Sequence, residues 1–482
     1  MNSEKVLSFF KEITKIPRES GHEEHIIAYL QEFAAQRGLE CKTDEAGNVL
    51  IVKEAASGHE NVPAIVLQSH SDMVCEKNEG VEHDFAKDPI RYIIKDGWMI
   101  APDTTLGADC GIGVAAQMAV LVSDMPCGKI ECLFTTAEET GLDGAMALQP
   151  GFFSGKVLLN LDSEDEGEIF IGCAGGIDTL AKMHYEPITI DNQSEKYFPI
   201  LLRVSGLMGG HSGDDINKGR ANANQLLVWF IERIWKQTPL QLATINGGNL
   251  RNAIAREAEA VICVPMSYKE QVRIEWNHHI AEMEDKYGSI EKEMRLDLES
   301  CDMPHSFIPS DKAYRLIMAL CACPHGMTAM SKEMPGLVET STNLASIKMR
   351  EDERGAYIEV NTSQRSSKEA SKHHLKWIVE QALALACDEV THGDGYPGWA
   401  PNPNSPLLEV TKRAYSQLFN EEPKVLAIHA GLECGLFLEK YPYLDMVSVG
   451  PQMYGVHSPQ ERLSIPSTEK CYQWLCQILQ SL

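Results

Sequence analysis

No run of about 18 consecutive apolar residues occurs in the chain, so no segment reads as a membrane span. Cationic side chains are scarce: Lys and Arg total 43 against 69 Asp and Glu, a formal charge of -26. A surface of that sign repels nucleic acid and anionic membrane, and neither is expected as a partner. The 14 cysteines include no CxxC pair. Cys321-Ala-Cys323 and Cys471…Cys476 lack the spacing of a zinc ribbon, and thiols in apolar contexts such as Cys132 and Cys263 read as free cysteines of a reducing cytoplasm. A signal peptide is not expected either. MNSEKVLSFFKEITKI carries charges inside its apolar pattern and reads as an amphipathic helix from Ser3 to Ile13.

What is present is a long chain of globular composition. Its 482 residues, 44% hydrophobic and 23% charged, exceed one ordinary core and predict two or three domains. The stretch with the most chemical information is VPAIVLQSHSDMV, Val62 to Val74. It reads as a buried strand, Ala64 to Leu67, that delivers His70-Ser71-Asp72. An imidazole and a carboxylate two residues apart form the usual pairing of a metal ligand with the group that orients it. HxD alone is frequent by chance, so the carboxylates downstream carry the weight.

Thr105 to Gly113, TLGADCGIG, is a glycine-rich turn feeding an apolar helix, with Asp109 at its head. A phosphate-cradling loop is not supported, because no Lys-Ser/Thr follows and no strand leads directly into the glycines. Alone, Asp109 would read as an N-cap. Lys129 to Thr135 is a strand that ends in Ala137-Glu138-Glu139, where one carboxylate can bind metal while its neighbour moves a proton. Val157 to Leu161 is a third strand, ending in Asp162-Ser163-Glu164. Strands of a parallel sheet align their C-terminal ends, so HSD, AEE and LDSE converge although far apart in sequence. The ensemble predicts a carboxylate-rich metal site.

From about residue 183 the pattern becomes α+β. It includes a glycine-rich turn, SGLMGGHSG, with His211, a hairpin over 242–264, a strand-like Val272 to Trp276, and later strands and helices that read as a second half. An α/β pattern returns near residue 399 and runs through HAGLECG to Gly-Val-His457-Ser-Pro. The expected organisation is a discontinuous α/β catalytic domain, residues 1–182 and 399–482, with a mixed sheet flanked by helices. An α+β domain of two halves, residues 183–398, is inserted in it.

His70-Ser-Asp72, Asp109, Glu138-Glu139, Asp162 and His457 together resemble the zinc exopeptidases with two co-catalytic metals, and within them the aminoacyl-histidine dipeptidase family, also called cytosol non-specific dipeptidase or peptidase D. IPRESGHEE, GADCGIG, TTAEETGLDGA, GGHSG, SQRSS and HAGLECG extend the resemblance over nearly the whole chain. It implies two zinc ions, with cobalt or manganese as substitutes. His70 and Asp162 would hold one ion, Glu139 and His457 the other, and Asp109 would bridge them. Asp72 would orient His70, and Glu138 would be the general base acting on a water between the metals. A cis peptide after Asp109 is expected from the family. Cys110 stands where family members commonly have Asn.

The resemblance also implies that His211 stabilises the oxyanion and that Arg365 captures the substrate carboxylate. Asn252, Gly431 and Glu433 would be substrate contacts, and the insertion a lid. Without the resemblance, His211 reads as a turn histidine and Arg365 as a surface arginine. The implied activity is hydrolysis of unblocked dipeptides, including Xaa-His, by a cytoplasmic enzyme whose partner is a small peptide and which could act as a homodimer or a monomer. A tripeptidase, aminopeptidase or N-acyl amino-acid deacylase on the same scaffold stays open at this level, as does a peptide-binding protein without catalysis.

Overall fold

The computed structural model describes residues 4–190 and 196–482. Ser3, expected at the start of the first helix, lies outside them, and the helix is described from Glu4 to Ile13. The chain forms two compact units: residues 1–173, 399–427 and 432–482 in the first, and residues 174–398 with 428–431 in the second.

The first unit is built on an eight-stranded sheet. Its order is Glu40–Thr43, Val49–Lys53, Ile130–Thr135, Ile65–His70, Val157–Asn160, Asp445–Ser448, Glu168–Cys173 and Lys424–Ile428. The central strands Ile130–Thr135, Ile65–His70, Val157–Asn160 and Asp445–Ser448 are mutually parallel, and antiparallel neighbours flank them. All six residues of Ile65–His70 and all six of Ile130–Thr135 are buried, the polar Gln68, Ser69, His70, Glu131 and Thr135 among them, as central strands covered on both faces are. Helix Ala108–Leu121 packs on these two strands, and helices Glu4–Ile13 and Ile465–Ser481 pack on it.

A small sheet in the same unit has a specific consequence. Its order is Met453–Tyr454, Arg462–Ser464, Trp98–Ile100, Ile93–Lys95. The loop between the first two strands carries His457, and the chain leaving Trp98–Ile100 leads to Asp109. Pairing of Leu463 with Met99 therefore brings together the segments that carry two of the expected ligands, with hundreds of residues between them.

The second unit contains a nine-stranded sheet. Along its main path lie Arg295–Ser300, Tyr197–Ser205, Ala258–Pro265, Gln241–Gly247, Val338–Asp352, Gly355–Ser366, Gly175–His184 and Glu389–His392, and Gly326–Met330 pairs with Val338–Asp352. The pairings along it are antiparallel, and Gly247 opposite Ile347 joins the two four-stranded halves of the path. The expected halves thus share one sheet. Two expectations change. Strand Gly175–His184 pairs along its whole length with Gly355–Ser366, so a break after residue 182 would fall inside a strand of the second unit. Val272 to Trp276 is helical, part of Lys269–Tyr287. Val272, Trp276, His279 and Met283 are its buried positions, a helical spacing that the shorter window could not display.

Candidate dinuclear metal centre

Three parallel strands end at one edge of the first sheet, and their next residues supply the site. His70 is the last residue of its strand and lies opposite Thr135 in the ladder. Glu138 and Glu139 follow Thr135 by one turn, and Asp162 follows the strand ending at Asn160. His70 Nε2 is 3.0 Å from Asp109 Oδ1 and 3.2 Å from Asp162 Oδ1. His457 Nε2 is 2.8 Å from Glu139 Oε1 and 3.1 Å from Asp109 Oδ2. The two oxygens of Asp109 thus face different histidines, each accompanied by a second carboxylate. The Asp109–Cys110 peptide is cis, as expected.

Asp72 faces away from these pairs. Its Oδ1 is 3.3 Å from His70 Nδ1, the ring nitrogen opposite the one aimed at Asp109 and Asp162. It also accepts the backbone N–H groups of Glu138 and Glu139, each at 3.2 Å, and the Ser20 hydroxyl at 2.6 Å. One carboxylate therefore stands against the imidazole and fixes the turn that presents both glutamates. Although burial opposes ionisation, His70 and the Ser20 hydroxyl hold Asp72 down at about 2.

The cluster has the electrostatics of a cation site. Burial pushes Asp162 up to about 6, and burial with the nearby Asp162, Glu433 and Glu139 carboxylates raises Glu138 well above the carboxylate range. Asp109 stays low despite burial because two histidines face it. His457 in turn is pushed up to about 11 by its hydrogen bonds to Asp109 and Glu139. Asp162 Oδ1 is buried without a well-aligned hydrogen bond. Among the described residues, His70, Asp109, Cys110 and Asp162 form one group with donor atoms close enough to hold an ion. Asp109, Glu139 and His457 form another, and His70, Glu138 and Glu139 a third. Imidazole with carboxylate suits zinc, cobalt and manganese, so the residues fit the expected metals.

Several residues that shape the site escaped sequence reasoning although they lie in the quoted IPRESGHEE segment. Arg18 is buried and donates to the carbonyl oxygens of Asp72 at 2.7 Å, Ser71 at 3.2 Å, and Gly107. Gly107 has φ +68, and a Cβ there would lie 2.5 Å from Arg18 Nη2, so this turn requires glycine. Glu23 accepts the N–H of Ala137 at 2.7 Å. Far along the chain, Glu461 accepts the backbone N–H groups of Leu106, Gly107 and Ala108 at 2.7–2.9 Å, and so cradles the turn ahead of Asp109. Glu461→Ala would leave three buried donors without a partner. It is expected to destabilise the first unit by about 3 kcal/mol or more, read as a lower denaturant midpoint, and a midpoint within error of wild type would contradict the cradle.

Glu433, expected as a substrate contact, is fully buried. Its Oε2 accepts from Gln68 at 2.6 Å and Thr135 at 2.9 Å, and Gln68 in turn accepts from Asn160 at 2.6 Å. Three central strands are tied together in this way. Burial pushes the Glu433 carboxyl up to about 8. Its surroundings are those of a supporting group inside the first unit.

The other expected substrate residues belong to the second unit. Arg365 is buried, donates to the Tyr396 hydroxyl at 3.0 Å, and has its Nε unpaired. A Cβ on Gly431 would meet the Tyr396 ring at 2.8 Å. His211 Nδ1 is 3.1 Å from Asp214 Oδ2 and its side chain is one-third exposed. Asn252 is exposed, and its carbonyl accepts the Ser212 N–H. His429 was missed although it stands in HAGLECG. It is buried with Nε2 2.7 Å from Ser341 Oγ. Burial, then the Arg365 charge, pushes it down to about 4.

With this geometry in place, comparison with known proteins decides the family. Peptidase family M20/M25/M40 matches residues 66–481. The chain belongs to that family. It is 38% identical over 474 residues to the cytosol non-specific dipeptidase of Escherichia coli K12, covering 98% of this chain and 96% of the relative. The crystal structure of aminoacylhistidine dipeptidase from Vibrio alginolyticus superposes with a TM-score of 0.91 at 37% identity, covering 99% of this chain and 96% of that one. The aminopeptidase PepT from Bacillus cereus shares the fold, with a TM-score of 0.58 at 17% identity over 100% of this chain and 99% of that one. For the M20 chain described here, the mixed sheet flanked by helices is thus the family fold, and the resemblance read from the motifs is borne out.

Proposed function

We propose that this M20 peptidase hydrolyses the peptide bond of unblocked dipeptides, Xaa-His among them, with two divalent cations held by His70, Asp109, Glu139, Asp162 and His457. The observation that carries the proposal is the bridging posture of Asp109, with one oxygen toward His70 and Asp162 and the other toward His457 and Glu139. The names of the Escherichia and Vibrio relatives support dipeptides as substrates. Zinc is the proposed metal, with cobalt or manganese as substitutes. Bound at these residues, the cations supply Lewis acidity toward the scissile carbonyl and lower the pKa of water.

The protein's own groups then divide the work. Asp72 keeps His70 in the tautomer that leaves Nε2 free to bind metal. Glu138 takes the proton of the attacking water and returns it to the departing amine. Its burial makes it a stronger base than an ordinary carboxylate. His211 donates to the oxyanion and Asp214 orients its ring. Arg365 pairs with the terminal carboxylate of the substrate, which favours a free dipeptide over a longer or blocked chain. Asn252 and Gly431 are retained as substrate contacts. No helix among the described residues is long and apolar enough to cross a membrane. The thiols are all free, and a cytoplasmic location is proposed by likeness to the Escherichia relative.

The direct test is hydrolysis of β-Ala-His, Gly-His, Leu-Leu, a tripeptide and an N-acetyl amino acid, before and after chelation and metal return. Metal-restored cleavage confined to dipeptides is expected. Cleavage only of the tripeptide or the acetylated substrate would overturn it. Arg365→Ala is expected to raise KM for free dipeptides by roughly 10–100-fold, the size of one lost charge-assisted pair, with little effect on C-terminally amidated ones. Equal losses on both would remove carboxylate capture from its role.

A further inference from the structure

The candidate ion group of His70, Asp109 and Asp162 includes a fourth donor that the scheme above does not use. Sγ of Cys110 and the ligand atoms of those three residues all lie within 4.8 Å of one another. Cys110 is fully buried, and its thiol is 3.2 Å from the Leu161 carbonyl oxygen, one residue before Asp162. The next helical turn makes room for it. A Cβ on Gly113 would lie 2.6 Å from this sulfur, so glycine at that position lets the thiol stand beside the ligands. Asp162 Oδ1, in the same group, is buried 3.2 Å from His70 Nε2 and has no well-aligned hydrogen bond. The second group, Asp109, Glu139 and His457, contains no sulfur.

The geometry points to Cys110 as a sulfur ligand of the metal held by His70 and Asp162, which makes the two metal positions chemically different. The inference rests on the dinuclear reading proposed above. A tetrahedral divalent ion takes four protein or water donors. His70, Asp109 and Asp162 supply three, the attacking water takes the fourth place, and the thiolate would be a fifth donor, a number zinc accepts in catalytic sites. As the metal–sulfur bond forms, the S–H bond breaks and the proton leaves to solvent. No electron is transferred, and a coordinating thiol is deprotonated outright by the ion. Charge also balances: three carboxylates and one thiolate match two divalent cations. Because sulfur is a soft donor, this position should favour zinc, cobalt or cadmium over manganese, while the sulfur-free position follows oxygen and nitrogen preferences.

The test is cobalt substitution of the full-length protein and of Cys110→Ser, with bound cobalt counted independently. Wild type with two cobalt ions is expected to show sulfur-to-cobalt charge-transfer absorption in the near ultraviolet, absent from Cys110→Ser. None of the other cysteines belongs to a candidate ion group among the described residues, so the band would report this thiol. Cys110→Ala serves if the serine form does not fold. Two bound cobalt ions without the band in wild type, or a band that survives in the variant, would overturn the inference and leave the thiol as a hydrogen-bond donor to Leu161. Failure of wild type to bind cobalt at all would overturn both this inference and the dinuclear reading.

Discussion

Glu138→Gln is expected to lower kcat on dipeptides by roughly 10²–10⁴-fold, the usual weight of a positioned general base, with both metals retained. The amide keeps the shape of the side chain and leaves the backbone N–H of residue 138 on Asp72, so the turn that presents Glu139 should persist. What disappears is a mostly buried carboxylate whose basicity is raised first by burial and then by Asp162, Glu433 and Glu139. Metal content by mass spectrometry and single-turnover hydrolysis separate the two effects. Near-normal turnover would remove Glu138 as the base. Loss of metal together with activity would instead place it among the ligands, in line with the third candidate ion group, His70, Glu138 and Glu139.

Asp109→Ala is expected to abolish binding of both ions, whereas His457→Ala should cost one. The contrast follows from the two oxygens of Asp109. One is 3.0 Å from His70 and the other 3.1 Å from His457, so its loss strips a ligand from each group. His457 serves only the group with Glu139, and its ring is half exposed, so its removal leaves the buried group of His70, Asp109 and Asp162 intact. Metal stoichiometry after dialysis against a weak chelator reads the difference directly. Two ions retained in Asp109→Ala would refute the bridge. Equal losses in the two variants would mean that the sites cannot be filled independently.

The residues that sequence reading reached are those whose meaning is local. HSD, AEE and LDSE each follow an apolar run, and parallel strands of similar length must bring such ends to one edge. The convergence of His70, Glu138, Glu139 and Asp162 could therefore be stated before any coordinate. Val272 to Trp276 failed for the same local reason, because five residues rich in apolar side chains do not display a helical period. The expected break after residue 182 failed because a strand's sheet is chosen by its ladder partners, which are remote from it in sequence.

By itself the sequence determined the candidate ligand types, their strand ends and the family, since these depend on residue identity and short-range periodicity. Only the tertiary structure decided that Asp109 faces both histidines, through the small sheet that brings the His457 loop beside the turn before it. Only it decided that Arg18 and Glu461 hold that turn, that one oxygen of Glu433 ties Gln68 to Thr135, and that Cys110 stands among the candidate ligands. Burial and close approach are set by side chains from distant segments packing at once, and a linear pattern does not encode which of them meet.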